Sequence, residues 1–101
     1  PDFNGERMEG AGLYQMTIRG GRRNSAARAF LRPAMRRGRV AAMTGAQATR
    51  VVFEGRRAVG VEVATREGRR VLRAPRIVLS AGAVGTPQLL LLSGVGEGAA
   101  L

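Results

Sequence analysis

The 101-residue chain contains no cysteine, histidine, lysine or tryptophan. Without cysteine there are no disulfides and no thiolate metal centres. Without histidine the chain lacks the commonest metal ligand and the commonest acid–base side chain. Aromatics are scarce, one Tyr and three Phe, which leaves few platforms for stacked bases. No apolar run approaches the ~20 residues of a membrane-spanning helix, and no stretch reads as a signal peptide.

Acidic residues are few: seven, against 17 basic residues, for a net charge of +10. That balance invites a polyanion-binding reading. Every basic residue is Arg, however, and with 15 Gly and abundant Ala and Val the composition looks like GC-rich codon usage. Arg then stands where a solvated surface would otherwise carry Lys. Eight arginines fall between Arg19 and Arg39, with only Tyr14 and Phe30 near enough to stack on a base. A small Arg-rich module binding nucleic acid or another polyanion is kept as the alternative function, and no nucleic-acid partner is expected. Glu6 and Glu9 fall in an expected loop. Glu54, Glu62 and Glu67 fall at turns or on the open face of a strand, so solvation is expected for all five.

The most informative stretch runs from Arg76 to Gly96. Ile77, Val78 and Leu79 form a continuous apolar run, which predicts a strand covered on both faces, as in a parallel sheet. Gly82 and Gly85 permit a sharp turn and a close backbone approach. Thr86 suits an N-cap and Pro87 the first helical position. Leu89 to Leu92 supply a packing face, and Gly94 and Gly96 supply the stop. A strand passing through small residues into a helix start can present backbone N–H groups to a phosphate, but on shape alone it is more often a plain tight connection.

Upstream, Pro1 to Gly12 has turn chemistry and predicts loop. Leu13 to Ile18 predicts a short strand, and Arg19 to Arg23 a turn or crossing loop. Asn24 or Ser25 can cap a helix through Leu31, with Pro33 ending it or beginning a new turn because residue 32 is pushed out of the helical region. Arg36 to Arg39 predicts exposed loop, and Val40 to Met43 a short apolar strand. From Ala46 the period becomes two, predicting an antiparallel three-stranded meander at roughly residues 46–54, 57–65 and 69–74. Its turns are Glu54-Gly55-Arg56-Arg57 and Arg66-Glu67-Gly68-Arg69. Val59, Val61 and Val63 face one side. Gly60, Glu62 and Ala64 face the other, which is therefore wetter or closely approached. The fold class expected is α/β, a mixed α+β arrangement with the meander inserted before the return strand at 77–79.

The run Gly82-Ala83-Val84-Gly85-Thr86-Pro87-Gln88-Leu89-Leu90-Leu91-Leu92-Ser93-Gly94-Val95-Gly96 resembles the second signature of the glucose–methanol–choline (GMC) oxidoreductases. That signature consists of small residues, Ser/Thr-Pro, two aliphatics and Ser-Gly-aliphatic-Gly. Arg23 to Pro33, Thr44 to Val51, Ala58 to Glu62, Asp2 to Gly5 and Gly12 to Gln15 resemble other segments of the family, on its choline dehydrogenase-like branch. The resemblance implies part of a Rossmann-like FAD-binding domain and a flavoenzyme that oxidises a small-molecule alcohol by hydride transfer to FAD. It implies cofactor-binding positions at Ala48, whose backbone would meet the adenine, and at Ala81 and Gly82, where the strand beside the dinucleotide ends. Tyr14 and Ser25 lie in segments that in the family approach the flavin or the substrate, but a core aromatic and a helix cap account for them better. The division expected is 1–39, an edge of the substrate and FAD-covering region, and 40–101, the middle of the FAD-binding domain.

Two features of the family are not in this sequence. No Gly-x-Gly-x-x-Gly follows a first strand, since Gly94-Val95-Gly96-Glu97-Gly98 follows a helix. Nor is there a catalytic His. No catalytic residue and no metal site are therefore assigned. The expectation is an internal stretch of a longer enzyme, cytoplasmic or membrane-associated as a whole, which alone would neither turn over substrate nor hold FAD tightly. Cut from its neighbours, such a stretch would leave strand edges open and tend to aggregate.

Overall fold

The computed structural model describes residues 5, 6 and 9–98. Its element order is β1 (Ile18–Arg19), β2 (Arg22–Arg23), a π-helical turn (Ala27–Leu31) leading into α1 (Arg32–Arg36), β3 (Gln47–Glu54), β4 (Arg57–Thr65), β5 (Gly68–Arg73) and α2 (Gly82–Leu92). The fold is mixed α/β, and the chain divides into two units, residues 1–42 and 43–101. Half of the expected first loop lies outside the described residues, including Asp2 to Asn4 of the Asp2 to Gly5 match.

In the first unit, β1 and β2 form a hairpin around Gly20-Gly21. Both glycines have positive φ, +59° and +69°, as the tightest twisted two-residue turn requires. The strand expected over 13–18 is reduced to its last residue, because hairpin pairing reaches only Ile18 and Arg19. Ser25 caps the helix that follows, its Oγ accepting the Arg28 N–H at 3.3 Å. Pro33 does not end that helix, and Arg32 keeps helical angles (φ −60°, ψ −44°). The wide turn before it absorbs the interruption: the Arg32 N–H bonds the Ala27 carbonyl, five residues back. The helix stops at Gly38 (φ +68°), where the Gly38 and Arg39 N–H groups return to the carbonyls of Met35 and Ala34.

In the second unit the meander is as its alternation and turns predict, with strand order β3-β4-β5, antiparallel throughout. The Glu54–Arg57 turn carries Gly55 at φ +60°. Gly60 is buried, and a Cβ there would lie 2.8 Å from the Leu72 carbonyl oxygen on β5. Close backbone approach, not water, accounts for the small residue at that position. Val40 to Met43 is not a strand. Residues 77–79 are not one either: Ile77 and Leu79 are half-buried and Val78 is 85% exposed. A strand exists through its ladder, and no strand among the described residues lies beside this run.

α2 begins one turn earlier than Thr86-Pro87 suggests. Gly82, at φ +88°, turns the chain into it, and Thr86 reaches back so that its Oγ1 accepts the Ala81 N–H at 2.9 Å. Pro87 therefore lies inside the helix. Its C-terminus closes on Gly94 (φ +80°), with Val95 N–H to Leu90 O at 2.9 Å and Gly94 N–H to Leu91 O at 3.0 Å. Leu89, Val51 and Val63 are the buried hydrophobic side chains among the described residues and make up the core. A Leu so placed contributes ~1.5–3 kcal/mol by leaving water. Leu91, Leu92 and Val84 stay open to solvent, so only part of the expected leucine face packs within this chain.

Candidate functional site

The site is built on an irregularity in β3. Ala48 pairs with Val63, but Arg50 pairs with Glu62, so Thr49 and Arg50 together oppose one residue of β4. This bulge shifts the alternation by one. Ala48 and Val51, three apart, consequently share the sheet face of Val61 and Val63, which is the face α2 covers. A second irregularity, with Val59 as the extra residue of β4, restores the register before the Glu54–Arg57 turn.

On the opposite face the bulge is clamped by Glu62. The Thr49 hydroxyl donates to Glu62 Oε1 at 2.7 Å, Arg50 donates to Oε2 through Nε and Nη2 at 3.3 Å, and Arg69 Nη1 lies 3.5 Å from Oε1. Glu62 is therefore not simply solvated; its side chain is only 16% exposed. The Thr49 hydrogen bond, followed by those of Arg50 and the charges of Arg50 and Arg69, holds its carboxyl below the ordinary glutamate value despite partial desolvation. The bulge creates this hub, which period-two reading could not foresee.

Between β3 and α2 lies a cavity of about 230 Å³ lined by Gln47, Ala48, Ala81, Gly85, Gln88, Leu89 and Leu92. Its walls are small or aliphatic side chains, with two amides as the polar groups and no charged residue. Ala81 stands at the start of α2, where the first N–H groups of a helix have no intrahelical acceptor and carry its positive dipole end. Gly85 keeps one wall low, since a Cβ there would come within 3.2 Å of the Ala81 Cβ. The cavity is smaller than the ~300 Å³ at which pockets begin to enclose a drug-sized molecule, so it suits one flat end of a larger ligand. With no titratable group in its lining, it can bind and orient but not transfer protons.

Of the residues singled out in the sequence, Ala48 and Ala81 line this cavity together. Gly82 follows Ala81 and is not itself in the lining; nothing lies within 4 Å of where its Cβ would be, and its positive φ is what demands glycine. Ser25 acts as a helix cap, and Tyr14 is largely exposed. Gln47, Gly85, Gln88, Leu89 and Leu92 complete the wall. Gln88, Leu89 and Leu92 share a helix face by their i, i+1, i+4 spacing, a signal available in the sequence but read there only as packing. A larger, more open depression of about 550 Å³ lies around Thr44, Gly45, Arg66, Glu67 and Arg70, and it touches none of the predicted positions. Among the described residues no cluster of acidic side chains could hold a metal ion. None of the described helices is long and apolar enough to cross a membrane.

Residues 1–100, which take in the bulged meander edge and the helix that leads into Ser-Gly-Val-Gly, fit the sequence model of the GMC oxidoreductases, and the chain belongs to that family. Among curated relatives it is 47% identical over 103 residues to an alcohol dehydrogenase [acceptor] of Pseudomonas putida, covering 99% of this chain and 19% of the relative. It is 45% identical over 101 residues to an oxygen-dependent choline dehydrogenase of Brucella anthropi, covering 99% and 18%. Against the Staphylococcus aureus oxygen-dependent choline dehydrogenase it is 45% identical over 97 residues, covering 96% and 17%. The chain thus spans about a fifth of the length of these relatives.

Proposed function

We propose that the chain is the part of an FAD-dependent alcohol or choline dehydrogenase-like oxidoreductase that holds the adenine end of the cofactor. The observation supporting this most is that Ala48 and Ala81, far apart in sequence, line one uncharged cavity beside a helix start. Small residues at Ala48, Ala81 and Gly85 leave room for a flat ring, the Gln47 and Gln88 amides can meet its polar edge, and the first N–H groups of α2 at Gly82 suit the adjoining phosphate. The residues present therefore fit the adenosine portion of FAD. When bound, FAD supplies the chemistry of the family, accepting a hydride from the alcohol carbon. The part played by this chain is to orient the cofactor, with residues 40–101 as the middle of the FAD-binding domain and 1–39 as an edge of the substrate and FAD-covering region. The substrate is a small-molecule alcohol, and the full enzyme is cytoplasmic or membrane-associated. The arginines between Arg19 and Arg39 are all exposed and act as solvated surface in this reading, not as a polyanion-binding module.

The test is Ala48→Phe in the full-length enzyme that carries this segment. A phenyl ring occupying the cavity is expected to raise the Kd of the apoenzyme for FAD at least ~tenfold, ~1.4 kcal/mol in affinity. An unchanged Kd would rule the proposal out.

A further inference from the structure

The cavity has two walls, β3 and α2, and one side chain joins them. The Val51 N–H donates to Ser93 Oγ at 2.7 Å, and the Ser93 hydroxyl donates to the Leu89 carbonyl at 2.5 Å. β3 is the outer strand of the meander, with β4 on one side only, so this N–H would otherwise point from an open edge. Ser93 is the C-cap of α2. Its own N–H already bonds the Leu89 and Leu90 carbonyls, and Gly94 and Val95 complete the helix end without its hydroxyl. The hydroxyl is therefore not needed to terminate the helix. What it adds is a polar link from the last turn of α2 to the strand three residues beyond Ala48, on the same sheet face. Leu89, whose carbonyl accepts from Ser93, is itself a wall of the cavity.

We propose that Ser93 is a positioning residue for the cofactor's adenine end: it fixes the spacing of the Ala48 and Leu89 walls by binding both elements at once. This rests on the reading of the cavity as the adenine site. Ser93 touches no cofactor atom in this proposal and acts only through β3 and α2. Threonine retains an acceptor and donor in the same place. Alanine removes both, leaving the Val51 N–H unpaired and α2 free to shift along the strand.

The experiment uses the full-length enzyme, purified as holoenzyme, stripped of flavin and titrated with FAD, alongside Ser93→Ala, Ser93→Thr and Ala48→Phe. Ser93→Ala is expected to weaken FAD about fivefold, the worth of one hydrogen bond. Ser93→Thr should restore affinity, and the KM for alcohol at saturating FAD should stay at the parent value. A purely structural role would lower the apoenzyme Tm while leaving the FAD Kd of the folded protein alone, and that result overturns the proposal. Parent-like FAD binding in Ser93→Ala with weakened binding in Ala48→Phe overturns the Ser93 role and leaves the cavity assignment standing. Parent-like binding in both overturns both. Should Ser93→Ala fail to fold, amide exchange in the parent decides. The proposal expects the Val51 amide to be protected and to gain protection when FAD binds, and fast exchange in the holoenzyme refutes it.

Discussion

Gly60→Ala isolates the tightest backbone approach in the meander. Gly60 has no unusual φ, so its conformation suits alanine, and removing glycine's unfolded-state freedom would by itself stabilise by ~0.4–1 kcal/mol. Space decides otherwise. The added Cβ would lie 2.8 Å from the Leu72 carbonyl oxygen and 3.1 Å from Val71 Cγ1. The valine can rotate, but the carbonyl is held in the β4–β5 ladder, where Gly60 faces Arg73 and Val61 faces Leu72. β5 must move outward by several tenths of an ångström, at the ~1–3 kcal/mol typical of overpacking. The net expectation is a loss of about 1–2 kcal/mol. Gly55→Ala is the comparison: it has open space but φ +60°, so it tests conformation without crowding, at ~1–2 kcal/mol. Urea unfolding of the enzyme carrying each change measures both. Amide exchange separates them, since only Gly60→Ala should accelerate exchange along β5. A Gly60→Ala enzyme as stable as the parent, with β5 exchange unchanged, would refute the reasoning.

Further outcomes follow from the same geometry. Glu62→Gln should destabilise the meander near neutral pH. Because the folded-state pKa of Glu62 lies below its reference value of 4.5, the parent's advantage is fully present above 4.5 and is lost as pH falls through the folded value. Unfolding midpoints of parent and variant across that range would show it, and an advantage independent of pH would contradict it. Thr49→Val removes the donor to Glu62 Oε1 and should loosen the bulge that turns Ala48 toward α2, weakening FAD severalfold by flavin fluorescence titration. Gly94→Ala meets open space but φ +80°, and should cost ~1–2 kcal/mol of stability with the helix end frayed by amide exchange.

The legible part of the fold was the part with local rules. Alternating Val59, Val61 and Val63 with glycine-containing turns specify the meander within a residue or so, because antiparallel hairpins are closed by neighbours in sequence. Ile77 to Leu79 misled because a strand needs a partner, and a run suited to burial on both faces finds none among the described residues. Thr86-Pro87 carries a sound helix-start pattern, but Gly82 and the backward bond from Thr86 to Ala81 move the start upstream. At the site, the positions at Ala48 and Ala81 came from a family resemblance, whereas the bulge at Thr49 that lets Ala48 share a face with Val51 has no signature in single-sequence periodicity. The Glu62 hub and the Ser93 link depend on that bulge and on helix docking, so neither could be read before the elements were assembled.

In the proposed function, β3 and the start of α2 together hold the adenine end of FAD. The most direct test is photolabelling of the full-length apoenzyme with FAD carrying an azide on its adenine ring, followed by peptide mapping. Labels in both the Gln47–Val51 and Ala81–Leu92 segments, displaced by unmodified FAD, are expected. Displaceable labelling confined to other parts of the enzyme would contradict the account.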